Sequence, residues 1–208
     1  MPRRIGSCFD DIVSVRNLWR AWQDFRRGKR RRASVRRFEW DADAEVIRLH
    51  RDLIGGEYSP NAYRVMFLNA PKRRVIAAAP VADRVVHHAV HRVLAPALDN
   101  RLVDTTFACL PERGSHRAIL AFQRALRRHR YVLLLDIRHY FPSIDPDILG
   151  DVMAKMIKDR RTLRLLNVIA ASGTSLYRDP TVRAFAGMAN GEPPLGVGLP
   201  IGNLTSQW

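Results

Sequence analysis

The stretch Tyr131-Val-Leu-Leu-Leu-Asp136-Ile-Arg-His-Tyr140-Phe141-Pro-Ser-Ile-Asp145 decides how this chain is read. An apolar run ends abruptly in a carboxylate, and an aromatic pair follows four and five residues later. Val132 to Leu135 do not alternate with polar residues, which predicts a strand covered on both faces, with Asp136 where the chain turns polar. A carboxylate at such a strand end can hold Mg2+ against a phosphate, and it can equally cap a neighbouring helix. Tyr140 and Phe141 would wall a nucleotide pocket or belong to the core.

Outward from this segment, the charge balance points to a polyanionic partner. Among 208 residues, 35 Lys and Arg face 20 Asp and Glu, a formal net charge of +15. Arginine dominates the excess, and its planar fork suits phosphate oxygens. A solvated basic surface or an anionic membrane contact would show the same balance. No apolar run is long enough for a membrane span and the first residues lack a signal-peptide core, so no membrane partner and a cytoplasmic location are expected. Cys8 and Cys109 are too few and too distant for a disulfide framework or a zinc site.

Helical spacing of Ile12, Val15, Leu18, Trp19, Trp22 and Phe25 leads into a basic run, Arg26 to Arg37, that holds eight Lys or Arg and no acid. The run, with Arg30, Arg31 and Arg32 at its centre, reads as a solvated linker or an RNA-contacting arm. A helix from Asp41 to Leu53 ends at Gly55-Gly56. Tyr63 to Leu68 and Arg74 to Ala78 form a hairpin with Lys72, Arg73 and Arg74 near its tip. Two long helices follow, Val81 to Leu98 and Ser115 to Arg130. The first carries His87, His88 and His91, which lack a Glu or Cys to complete a metal set and are read as packing or RNA-contacting residues. Asp145-Pro146 starts a helix as N-cap and first residue. Helices over 148–157 and 160–171 precede a Gly- and Pro-rich segment, in which Gly196, Gly198, Pro200 and Gly202 make a loop whose backbone can approach a ligand.

At this point the motifs resemble a known family. Leu135 to Asp145 resembles the first catalytic motif of reverse transcriptases, and Gly198-Leu-Pro-Ile-Gly-Asn-Leu-Thr-Ser-Gln207 resembles their next palm motif. Pro71-Lys-Arg-Arg-Val-Ile and Asp83-Arg-Val-Val-His-His-Ala are similar to the fingers region, and Phe107 to Ala118 to the segment before the catalytic strand. Ile201 and the Ser206-Gln207 pair resemble the diversity-generating retroelement type, with group II intron and retron enzymes as neighbours.

The resemblance implies an α+β fold, helix-rich with a short antiparallel sheet: a basic amino-terminal helix and arm over 1–40, fingers over 41–130, and a partial palm over 131–208 without a thumb. The implied activity is RNA-directed DNA polymerisation, attack of a primer 3'-hydroxyl on a dNTP with two Mg2+ ions. Asp136 would be the catalytic carboxylate and, with the carbonyl of Ile137, a metal ligand. Lys72, Arg74, Ile137, Tyr140, Phe141, Ile201 and Gly202 would contact the dNTP, with Tyr140 or Phe141 as the sugar gate. Arg30, Arg31, Arg32, Arg113 and Gln207 would contact nucleic acid. RNA template, primer strand and dNTPs are the implied partners, with an accessory protein besides.

No Tyr-x-Asp-Asp motif occurs in the chain, so the remaining metal carboxylates are expected elsewhere, and the chain is expected to be inactive alone with apolar sheet surface uncovered. The alternative is a non-catalytic RNA-binding protein that keeps the fingers and the basic arm. An RNA-dependent RNA polymerase is a third reading, disfavoured by the bulk of Tyr140-Phe141.

Overall fold

The amino-terminal apolar spacing produces two helices at an angle. In the computed structural model, which describes residues 4–110, 112–188 and 193–202, α1 spans Phe9–Val13 and α2 Val15–Arg26. Ser14, at ψ 139°, breaks what the periodicity predicts as one helix, and its Oγ accepts from Asn17 N at 3.2 Å to cap α2. Asn17 then donates through Nδ2 to Ile12 O at 2.9 Å and to Ala89 O at 3.0 Å, fixing the bend against a later helix.

Helices α3 (Ala33–Trp40) and α4 (Ala42–Gly55) follow, and α4 ends at Gly56 in the left-handed region as the glycine pair predicts. Asp41 stands at the α4 N-cap position without a side-chain capping bond. The basic run is therefore half turn and half helix, and Glu39 draws it back by pairing with Arg26 and, at 3.8 Å, with Arg30.

Strands β1 (Arg64–Leu68) and β2 (Arg74–Ala78) pair antiparallel, with Val65 opposite Ala77 and Leu68 opposite Arg74. Helix α5 (Val81–Asp99) packs mainly on α2: Val85, Val86, Ala89, Val90 and Leu94 meet Leu18, Ala21, Trp22 and Phe25 in one buried core. The Trp22 and Phe38 rings meet within it at a tilt of 41°, centroids 4.6 Å apart. Burial of these apolar faces is the main stabilising contribution.

Two polar groups are buried here with opposite outcomes. Asp83 accepts from Tyr58 Oη at 3.0 Å and from Asn61 N at 2.9 Å, anchoring the segment that leads into β1. Burial pushes its carboxyl above the usual range, against the lowering effect of those hydrogen bonds. His87 is buried as deeply, yet neither ring nitrogen has a hydrogen-bond partner among the described residues.

Helix α6 (Ser115–Leu126) is shorter than the predicted Ser115–Arg130 stretch and buries no residue. After α7 (Tyr140–Ser143), helices α8 (Pro146–Met156) and α9 (Arg160–Ala171) return to the first core, adding Met153, Ile157, Leu165 and Ile169. Asp145 caps α8 as predicted, accepting from Asp147 N at 2.8 Å. Asp159 caps α9 through Oδ1 and, through Oδ2, accepts from Cys8 N at 2.9 Å and Phe9 N at 2.8 Å at the start of α1. Ile5 adds a parallel bridge to Ile157 beside it.

A second, smaller core joins Val75 and Ala77 of β2 to Leu176 and Tyr177 of a 3-10 turn (Leu176–Arg178) and to Val182 of α10 (Pro180–Phe185).

The predicted covered strand before Asp136 takes a different form. Residues 131–137 belong to no strand, and Leu133, Leu134 and Leu135 are 80%, 92% and 79% exposed. An apolar run becomes a strand when a neighbour supplies ladder partners, and none of the described residues does so here.

Candidate nucleotide and nucleic-acid site

Three sequence-distant segments meet around the loop 196–202. The first is the turn into α7, where His139 adopts φ 52° and swings the chain from the extended run into the short helix bearing the aromatic pair. Tyr140 and Phe141 pack edge to face, ring centroids 5.3 Å apart at 74°. Tyr140 is half exposed, whereas Phe141 is more covered.

The second segment is the loop itself, held by hydrogen bonds on every side. Gly198 N donates to Ile144 O at 2.8 Å, and Leu199 N donates to Phe141 O at 2.8 Å. Tyr177 Oη donates to Leu199 O at 3.0 Å from the 3-10 turn, and burial raises this phenol to about 12. Glycine is required where the loop is tightest. At Gly198, φ 111°, a Cβ would lie 2.3 Å from the Tyr177 ring; at Gly202, φ 125°, it would lie 2.9 Å from Ala77 O.

The third segment is the hairpin. Ala77 N donates to Ile201 O at 2.9 Å, so the loop lies alongside β2. Arg74 opens β2 three residues earlier, about 10 Å along the strand, and Lys72 precedes it in the turn. Both are exposed. Arg73 instead lies over the Phe185 ring at 5.7 Å, and Phe185 packs edge to face on Phe67 at 4.8 Å. Lys72, Arg74, Tyr140, Phe141, Ile201 and Gly202 thus stand on elements that touch one another through backbone bonds.

Other candidate residues stand apart or are engaged elsewhere. Asp136 and Ile137 lie on the exposed extended run, and no three His, Cys, Asp or Glu side chains are grouped to hold a metal ion among the described residues. One exposed carboxylate does not fit a two-Mg2+ site, so no metal-dependent step is assigned to these residues. Arg113 donates through Nη1 to Val103 O at 3.0 Å, Asp104 O at 3.1 Å and Thr106 O at 2.8 Å, which gives it a loop-holding role. Arg30, Arg31 and Arg32 are exposed in the turn between α2 and α3. Gln207 lies outside the described residues.

Tyr177 escaped the sequence reading. Its only signal is an aromatic residue ahead of a glycine-rich segment, and its partner Leu199 is 22 residues away.

No family model matches the chain. The Escherichia coli K12 protein YkfC is 26% identical over 129 residues, 59% of this chain and 34% of that protein. The group II intron-encoded protein LtrA of Lactococcus lactis subsp. cremoris is 23% identical over 135 residues, 64% of this chain and 22% of its own length. Nuclear intron maturase 1, mitochondrial, of Arabidopsis thaliana is 24% identical over 132 residues, 62% of this chain and 18% of that protein. The chain spans about a third or less of the length of these curated relatives. The described residues include no helix long and apolar enough to cross a membrane. The chain is a distant relative of group II intron-encoded and intron maturase proteins, which supports a reverse transcriptase-like relationship at that coarse level.

Proposed function

We propose that this chain forms the fingers and the front of the palm of an RNA-directed DNA polymerase, and that it positions a template RNA, a primer end and a dNTP. The observation that carries the reading is the hydrogen-bonded seam joining Phe141, the 198–202 loop and β2. That seam sets an aromatic pair beside a close-approach loop, with two exposed cations further along the same hairpin. In this reading Lys72 and Arg74 take the triphosphate oxygens by charge-assisted hydrogen bonds. Tyr140 or Phe141 faces the sugar and excludes a 2'-hydroxyl, while Ile201 and Gly202 lie against the base and template. Asp136 stands apart from this seam, on the exposed run before α7. The diversity-generating retroelement type is the finer assignment, carried by Ile201.

A second reading, a non-catalytic RNA-binding module, is favoured by the exposed position of Asp136, which belongs to no metal-holding group among the described residues. Binding of a labelled primed RNA template, measured by fluorescence anisotropy with and without the complementary dNTP and Mg2+, separates the two. The polymerase reading expects the matched dNTP to tighten the complex by about tenfold or more, and expects Lys72→Gln with Arg74→Gln to remove that gain. RNA binding that no dNTP tightens would leave the binding-module reading in its place.

A further inference from the structure

A group of cations away from the loop site gathers around one buried ring. Phe25 closes the last turn of α2, and Lys29 Nζ stands 4.6 Å from its centroid. Arg84, on the first turns of α5, places Cζ at 5.6 Å, and the His88 ring meets Phe25 edge-on at 5.7 Å. Backbone carbonyls hold both long side chains in place: Lys29 Nζ donates to Phe25 O at 2.9 Å, and Arg84 Nε donates to Ala79 O at 2.8 Å.

The nearby acids are used elsewhere. Glu39 pairs with Arg26 and Arg30, and Asp24 pairs with Arg92 and, at 3.9 Å, with Arg27. No carboxylate pairs with Lys29, Arg32 or Arg84 among the described residues. Burial lowers the ammonium of Lys29, and Arg84 and Arg32 lower it further. Arg84 is lowered in the same way, by burial and then by Arg32. The quadrupole of one aromatic ring attracts these cations without cancelling their mutual repulsion. A fold that holds like charges half-buried around a shared point is arranged to receive a negative group there.

We propose that Lys29 and Arg84, with Phe25 as the floor, form a phosphate subsite that takes one phosphodiester of an RNA strand. The proposal rests on the RNA-binding reading above. Arg27, Arg30, Arg31, Arg36 and Arg37 lie exposed on the same turn and helix, so a polyanion engages the subsite and its flank together, which a single phosphate cannot do.

The test measures the affinity of the whole chain for a labelled single-stranded RNA across a salt series. Lys29→Gln with Arg84→Gln is compared with Arg16→Gln plus Arg20→Gln, which removes the same charge from exposed positions of α2. The expected result is a loss of about tenfold or more at low salt for the first pair, with the slope of log K against log salt shallower by about 0.7, one phosphate of a single strand. The control pair should change neither by as much. Thermal melting checks folding, and relief of like-charge repulsion should leave the first pair at least as stable as the parent.

A nuclear magnetic resonance arm separates the possible failures by following the His88 imidazole, whose charged surroundings are Lys29, Arg84, Asp24 and His91. Inorganic phosphate is the probe. RNA binding that survives Lys29→Gln with Arg84→Gln, or falls equally in the control pair, overturns the subsite and leaves the RNA-binding reading intact. Absence of RNA binding by the parent chain overturns that reading and the phosphodiester with it; a His88 response to inorganic phosphate would then assign the cluster to a free anion.

Discussion

Asp159 shows how much one carboxylate can do, since its two oxygens are divided between the amino ends of α1 and α9. Burial pushes this group up, but the N–H donors of Phe9, Thr162, Arg161 and Cys8 outweigh that and hold it below the usual carboxylate range. Asp159→Ala is expected to cost about 1–3 kcal/mol in a urea titration, more than an ordinary cap because two helix starts lose acceptors. The folded pKa is depressed, so this stabilisation is complete above the unfolded value and is lost as pH falls through the folded one.

His87 behaves differently. Burial, then His88 and Arg84, lowers it to about 4 from 6.5. The unfolded chain therefore takes up a proton before the folded one, and stability should decline as pH falls from about 6.5 to about 4. His87→Leu removes two unpartnered polar atoms and should raise Tm by roughly 2–4 °C at pH 7 while flattening that decline, read from thermal melts at several pH values. The cap at Asp145 was legible because its donors are the next residues along. The second half of Asp159's role was not, because its partners Cys8 and Phe9 lie 151 and 150 residues away.

At the scale of elements, local chemistry read well wherever an element satisfies itself. The hairpin, the glycine end of α4 and the long α5 all follow from spacing and turn residues. The break at Ser14 stayed hidden because Ile12, Val15 and Leu18 keep helical spacing across it. The run before Asp136 was misread for the opposite reason: apolar patterning states what a segment can bury, and a ladder partner decides whether it does. Of the candidate site, the loop's glycines read as a place of close approach, but what they approach, β2 and the Tyr177 ring, depends on tertiary contacts that spacing does not show. Gly202→Ala tests the seam. A methyl group 2.9 Å from Ala77 O must push the loop off β2, so dNTP-dependent tightening should fall while binding of RNA alone is retained, in the same anisotropy experiment.

The whole molecule carries +15, and its basic turn lies on the amino-terminal core while the loop site lies on the smaller one. RNA affinity should therefore decrease steeply with salt. Neutralising Arg30, Arg31 and Arg32 should flatten that slope by about 0.7 for each phosphate lost, without touching the response to dNTP. An unchanged slope would return these residues to a solvated surface.

The parallel bridge of Ile5 to Ile157, together with the Asp159 cap, also sets a timetable for a nascent chain. The first helix leaves the ribosome with its amino end open, and the carboxylate that closes it is encoded 150 residues later. At roughly 5–20 residues per second that interval is about 8–30 s, during which α1 waits for the residue that closes it. Synthesis speed between α1 and Asp159, rather than anything in α1 itself, governs how long that end stays open to chaperones and proteases.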